Sequence, residues 1–142
     1  MDHRLNVLGV ARGRIVMGLA MLSLPGVMLR VMFGKHASTP TARVMARMFG
    51  AREVALGVGT ITSVKERTQD AEWASASAMA DAVDGLVMAF SPGVPRRSRP
   101  AALIGAGAAV LGMQAARAFA DERGATSEAH SGGPDGLVRP AP

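Results

Sequence analysis

Residues 49–59 read FGAREVALGVG, and this stretch places an adjacent arginine and glutamate, Arg52 and Glu53, inside a run of small and apolar residues. The apolar character continues on both sides, over about residues 44–64, which is long enough for a helix that crosses a bilayer core. A charge at the centre of such a helix is costly unless it has a partner. The stretch therefore predicts a buried helix and a neighbouring element that supplies opposite charge.

Three further apolar runs have a similar length and cover residues 15–33, 73–90 and 101–120. Residues 15–29 and 101–116 contain no charge at all, whereas a soluble helical bundle needs a polar face on each of its helices. The aromatic residues, four Phe and one Trp, fall at or near the ends of the runs, and Trp73 in particular suits a membrane interface. We therefore expect an all-α fold with four transmembrane helices packed as a small membrane bundle.

The expected organisation has three parts. An interfacial segment covers residues 1–13, the membrane domain covers residues 14–120, and a disordered tail rich in Gly, Ser, Pro and charge covers residues 121–142. The first helix is expected to kink near Pro25, because proline cannot donate a helical hydrogen bond. The four helices are expected at about residues 14–33, 44–64, 73–90 and 101–120.

The first run also resembles a secretory signal peptide, since Arg12 and Arg14 precede it as in an n-region. No A-x-A cleavage site follows, and the apolar character continues past Pro25, so we expect a retained helix. The orientation in the membrane stays open, because each side would carry the same number of Lys and Arg residues. One side would hold Arg30, Lys35, Arg43, Arg47, Arg96, Arg97 and Arg99, and the other Arg4, Arg12, Arg14, Lys65, Arg67, Arg117 and Arg123.

Acidic residues on the third run are the expected partners of Arg52. Asp81 and Asp84 are spaced i, i+3 and share one helix face. A short loop joins the second and third runs, so we expect them to pack as an antiparallel hairpin. Asp84 lies as far beyond Trp73 as Glu53 lies before Val64, which puts both about 16 Å from the same interface. We predict that Arg52 pairs with Asp84, with Asp81 or with both.

This predicted polar cluster has more acids than bases. Arg52 alone faces three carboxyl groups, those of Glu53, Asp81 and Asp84, and burial together with like charge disfavours ionisation of all three. Three resolutions are open: carboxyl groups stay protonated, a cation binds, or Arg47 reaches in from about one turn away. The cluster either holds helices together by hydrogen bonds or handles a proton or cation.

Small residues on two of the runs predict close helix packing. Gly50 and Gly57 lie on the same helix face as Glu53, and Gly105 and Gly112 lie on one face of the fourth run. Small residues allow helix backbones to approach closely in lipid. These four glycines are therefore the predicted helix-packing positions.

No catalytic, cofactor-binding or metal site is predicted from the sequence. The chain has no cysteine, which excludes disulfides, thiolate metal sites and cysteine nucleophiles. The GAGAAVLG stretch at residues 105–112 lacks the third glycine and the preceding strand of a dinucleotide-binding fingerprint. The net charge is +5, but no stacking aromatics accompany the basic residues, so nucleic acid is not an expected partner.

Three motifs occur in a familiar order: Arg14, Gly18 and Pro25 in the first run, MFGAREVALGVGT at residues 48–60, and ADAVDG at residues 80–85 after Trp73. In this order the chain resembles a family of small, uncharacterised four-helix integral membrane proteins, a domain of unknown function common in actinobacteria and fungi. The resemblance covers roughly residues 12–120. It implies architecture and membrane localisation, and it brings no assigned activity.

Three kinds of function are compatible with this pattern. The first is a non-enzymatic scaffold or accessory subunit of the bacterial cell membrane, in contact with membrane lipids, either as a homo-oligomer or within a larger membrane complex. The second is a small proton- or cation-coupled transporter, which predicts a wet path to the charges. The third is a membrane enzyme acting on a lipid or quinone, which predicts a lateral pocket beside Asp81 or Glu53. The pattern favours the first and leans away from an enzyme.

Overall fold

The computed structural model describes residues 3–92 and 94–131, and over these residues the fold is all-α, with five α-helices and no strand. Two short 3-10 turns, Lys35–Ala37 and Arg96–Ser98, lie in the connections. The helices are α1 His3–Ser23, α2 Pro25–Phe33, α3 Pro40–Glu66, α4 Asp70–Phe90 and α5 Arg99–Ser131.

The first apolar run forms two helices that meet at Pro25. Leu24 leaves the helical conformation, with φ −127° and ψ 48°, and Pro25 opens α2 at a position where its missing N–H is not needed. The predicted boundary between residues 13 and 14 is absent, because α1 begins at His3 and runs through it. Val7 and Ala11 explain the earlier start, since both are buried: Val7 lies in the apolar cluster that contains Phe119 of α5, and Ala11 lies against Gly57 of α3.

The last helix is longer than the sequence predicts. α5 continues through residue 120 to Ser131, so residues 121–131, expected as part of a disordered tail, are helical. Ion pairs to other helices accompany the extension: Arg123 bonds Glu72 of α4 at 3.0 Å, and Arg4 of α1 bonds Glu122 at 2.6 Å. The rest of the predicted tail, residues 132–142, lies outside the described residues.

The helices associate as two antiparallel pairs, α1 with α3 and α4 with α5, and α3 and α4 also meet across the middle of the molecule. α3 and α4 are joined by a tight turn in which Arg67 and Gln69 have positive φ, 54° and 52°. α3 and α4 are therefore joined by a short turn, as expected for a hairpin. Its helices nevertheless pack more extensively against α1 and α5 than against each other.

Glycine sets the closest approach within each pair. A Cβ on Gly50 would lie 2.6 Å from the Gly18 carbonyl oxygen, and one on Gly57 would lie 2.7 Å from the Ala11 carbonyl oxygen, so α1 and α3 touch through their backbones. In the second pair a Cβ on Gly105 would lie 3.2 Å from the Asp81 carbonyl oxygen, and one on Gly112 would lie 3.0 Å from the Ala78 Cβ. The α4–α5 contact is therefore slightly looser than the α1–α3 contact.

Two stretches of helix, His3–Ser23 and Ala102–Glu128, are long and apolar enough to cross a membrane by length and composition. α3 and α4 do not meet the same criterion within the described residues. Both carry charges within their length, Arg52 and Glu53 on α3 and Asp81 and Asp84 on α4.

We expect Gly50→Ala to lower the free energy of unfolding by about 1–3 kcal/mol, because the added methyl group forces apart the α1 and α3 backbones. Gly13→Ala is the matched control, since no atom lies within 4 Å of a Cβ at Gly13. The control should be neutral or stabilising by up to about 1 kcal/mol, as alanine favours the helix. Unfolding in detergent micelles, followed by circular dichroism, measures both. Equal effects of the two substitutions would show that α1 and α3 do not touch at Gly50.

Candidate functional site

Five charged side chains meet between α1, α3 and α4, and we call them the charge cluster: Arg14, Arg52, Glu53, Asp81 and Asp84. α1 supplies one arginine, α3 supplies the other arginine and the glutamate, and α4 supplies both aspartates. The cluster therefore joins three helices, and it belongs to both antiparallel pairs.

Arg14 is the most deeply buried base in the charge cluster. Its side chain is 5% exposed, and its Nη1 donates to Glu53 Oε2 at 2.8 Å. Its Nη2 donates to the backbone oxygen of Ser77 at 2.9 Å and forms an ion pair with Asp81. One guanidinium group thus bonds to α3 and α4 at once, using the forked donor geometry that lysine lacks.

The helix packing explains why Arg14 is buried. The buried residues of α1 are spaced alternately by four and three positions, which makes a narrow stripe facing α3: Val7, Ala11, Arg14, Gly18 and Met21. The backbone contacts at Gly18 and Ala11 lie about one turn on either side of Arg14. These contacts hold the two helices so close that the guanidinium must lie between α3 and α4.

Arg52 forms the outer half of the charge cluster. Its Nη2 lies 2.6 Å from Asp84 Oδ2 and its Nη1 lies 3.3 Å from Asp84 Oδ1, so the pair is bidentate. The same guanidinium is 3.3 Å from Glu53 Oε1 and lies 5.2 Å from the centre of the Phe49 ring. The Arg52 and Asp84 side chains are 41% and 34% exposed, which makes this pair far more accessible than the Arg14 pairs.

The structure thus divides the predicted acids between two arginines. Asp84 lies against Arg52, whereas Asp81 lies against Arg14. Glu53 lies between the two bases and bonds to both. Arg47, which was one of the predicted sources of extra positive charge, instead donates to the backbone oxygen of Leu22 at 3.3 Å.

Sequence reasoning missed Arg14 as a member of the charge cluster. Its place just before an apolar run suggested a charge at the membrane interface. A usable signal was present, because Arg14 shares a helix face with Ala11 and Gly18, and a charge within a lane of small residues points toward a neighbouring helix. With Arg14 included, two arginines face three carboxyl groups, and the excess falls from two negative charges to one.

Polar groups continue inward from the charge cluster between α3 and α4. The hydroxyl groups of Thr60 and Ser77 are 3.1 Å apart and share a hydrogen bond. Arg14, Asp81, Thr60 and Ser77 line a small cavity of about 20 Å³, which is enough for one water molecule. Among the described residues, Arg14 Nε is buried without a hydrogen-bond partner, so a water molecule in this cavity would have a donor to accept from.

A second set of ion pairs lies at the end of the helices where α1 and α4 begin. Asp70 at the start of α4 is buried and lies 3.5 Å from Arg4 and 3.7 Å from Arg123. Arg4 also lies 4.8 Å from the centre of the Phe119 ring, and Arg123 donates hydrogen bonds to the exposed Glu72 carboxylate at 3.0 and 3.2 Å. These pairs tie α1, α4 and α5 together.

The charge cluster offers cohesion and a single excess negative charge rather than a metal centre. In the part of the chain that the structure describes, no group of three or more His, Cys, Asp and Glu side chains is arranged to hold a metal ion. The carboxylates are instead directed at guanidinium groups. The arrangement can accept one proton or one monovalent cation to reach neutrality.

Comparison of the chain with protein-family models, curated proteins and solved structures finds no match.

We expect the two arginines of the charge cluster to differ sharply in their contribution to stability. Arg14→Met leaves the half-buried Asp81 without its arginine and the buried Glu53 with Arg52 alone, and it should lower the free energy of unfolding by about 3–5 kcal/mol. Arg52→Met removes a partly exposed pair and should lower it by about 0–1 kcal/mol. Detergent-micelle unfolding of both variants tests this, and an Arg52→Met variant as unstable as Arg14→Met would contradict it.

Proposed function

We propose that the protein is an integral membrane protein of the bacterial cell membrane, in which four long helical segments, α1 with α2, α3, α4 and α5, cross the bilayer. In this proposal it serves as a non-enzymatic scaffold or accessory subunit, as a homo-oligomer or within a larger membrane complex. The observation that carries the proposal is the distribution of side chains. Charges are buried between the helices, and large apolar side chains are exposed on the outside.

The exposed side chains on the outside of the helices support the proposal that the protein lies in lipid. Leu103 and Ile104 of α5 are 76% and 74% exposed, and Val16 and Leu19 of α1 are also exposed. The buried apolar residues, in contrast, are mostly alanines, and among the described residues Phe119 is the one large side chain that is fully buried. The exposure of so many large apolar side chains is unfavourable in water and favourable in lipid.

The charges on α3 and α4 are compatible with this placement. An ionised side chain in a membrane-spanning helix normally faces the protein interior and pairs with another charge or a backbone carbonyl. Glu53 and Asp81 do so through Arg14, and Asp84 does so through Arg52. α3 and α4, which are less apolar than the two candidate membrane-spanning stretches, therefore carry charges that would be paired with opposite charges within the bilayer.

The burial of the charge cluster favours a structural role. Arg14 and Glu53 are 5% and 7% exposed in their side chains, and each carboxylate of the cluster has a guanidinium partner. A general acid or base needs access to a substrate, which these inner groups lack. Membership in the small four-helix membrane family that the motifs resemble would add the same architecture and no activity.

The excess negative charge favours one alternative, a small proton- or cation-coupled transporter. Arg14 and Asp81 border the 20 Å³ cavity, so a proton carried on Asp81 would have a polar neighbour and room for one water molecule. The two proposals make opposite predictions for reconstituted protein. A scaffold leaves vesicles as tight to protons and monovalent cations as empty vesicles. A transporter produces a flux that Asp81→Asn abolishes.

We expect the protein to sediment with membranes after expression and to stay in the pellet during alkaline carbonate extraction, because its exposed apolar surface lies in lipid. A nonionic detergent should release it. The sedimented and released fractions are compared by immunoblot against a known peripheral protein. Recovery of folded protein in the soluble fraction without detergent would contradict membrane integration.

A further inference from the structure

A lateral pocket of about 500 Å³ lies between α2, α3 and α4, next to the outer half of the charge cluster. This volume lies within the range of small-molecule sites. Four methionines and two phenylalanines contribute to its wall, and Asp84 is its only charged lining residue among those described. Met45 and Val87 line the pocket and are exposed, so the pocket opens to the side of the helical bundle.

The charges beside this pocket favour a positively charged ligand over an anion. The charge cluster has two arginines against three carboxyl groups, so it carries one negative charge in excess when all five groups are ionised. Its Asp84 carboxylate lines the pocket, whereas neither arginine of the cluster does. A bound monocation would bring the cluster to neutrality, and a bound anion would increase the excess next to a carboxylate.

The side chains that line the pocket favour an organic cation over a metal ion. Phe33 and Phe49 contribute rings, and a cation over a ring face is attracted by its quadrupole. Met21, Met32, Met45 and Met88 contribute polarizable, adaptable side chains of the kind that line promiscuous binding surfaces. A small hydrated metal ion would find a single carboxylate in an apolar chamber. An organic cation with a large apolar body would fill it.

We propose that this pocket binds a lipophilic organic monocation, with the positive charge against Asp84 and the apolar body between α2, α3 and α4. The inference does not depend on the scaffold role, because it concerns the outer, accessible pair of the cluster and leaves the sealed Arg14 pairs in place. The proposal assigns a ligand class to a pocket that is not needed to hold the helices together.

The test uses tetraphenylphosphonium as the probe and tetraphenylborate as an anion of matched shape. Equilibrium dialysis with the purified full chain in nonionic detergent should show saturable binding of the cation with one site per chain. The borate should show no saturable binding. Saturable binding of both ions with equal affinity, or none of the cation, would overturn the proposal.

Two variants locate the site. Asp84→Asn should weaken binding of the cation by at least about tenfold, since it removes the carboxylate charge that lines the pocket. Glu72→Gln is the matched control, because it neutralises an exposed carboxylate on the same helix outside the pocket, and it should bind as the native chain does. Unchanged affinity in Asp84→Asn, or an equal loss in Glu72→Gln, would contradict the assignment.

Met88→Trp provides a test that leaves all five charges of the cluster intact. The larger side chain occupies the pocket and should reduce binding of the cation to the level of Asp84→Asn. Thermal unfolding of each variant is measured alongside, and only variants with native-like transitions are compared. A Met88→Trp variant that folds and binds tetraphenylphosphonium with native affinity would place the site elsewhere and overturn the proposal.

Discussion

The structure depends on one guanidinium group. Arg14 of α1 bonds Glu53 of α3 and, at the same time, Asp81 and the Ser77 carbonyl oxygen of α4. These bonds cross from one antiparallel helix pair to the other. The two pairs contact each other less extensively than the helices within each pair do, and the buried apolar residues are mostly alanine. Small side chains bury little area, so the buried ion pairs replace the large interlocking side chains that fix helices in a water-soluble core.

The glycine contacts between α1 and α3 and the ion pairs of the charge cluster depend on each other. Gly18 and Gly50 let the α1 and α3 backbones touch, and that contact fixes the position of Arg14 relative to Glu53. A wider helix separation would leave the arginine able to turn outward. Asp81 would then lose its base, and Glu53 would keep only Arg52. Close packing is therefore what makes the burial of Arg14, Glu53 and Asp81 tolerable, and these charges in turn specify which helix faces meet.

Sequence reasoning captured the all-α class of the fold and part of the charge cluster. Counting residues from the α3–α4 turn put Asp84 opposite the Arg52–Glu53 pair, because helix rise is constant and a short turn fixes the register of its two helices. The break at Pro25 likewise follows from the chemistry of proline. Both inferences needed only local geometry.

Other features depended on contacts between distant segments. The place of Arg14 follows from packing of α1 on α3, which no turn connects directly, so its depth could not be counted from a shared loop. The helical extension through residues 121–131 is accompanied by ion pairs of Arg123 with Glu72 and of Arg4 with Glu122. Its composition, rich in polar residues, resembles that of a tail. In each case the partner lies on a helix far away in the sequence.

The thermodynamic coupling between Arg14 and Asp81 tests the central claim most directly. It is obtained from the unfolding free energies of the native chain, Arg14→Met, Asp81→Asn and the double variant in detergent micelles. If Arg14 joins the two helix pairs, the double variant should be more stable than the sum of the single losses predicts, by more than about 1 kcal/mol. Additive effects of the two substitutions would contradict the account.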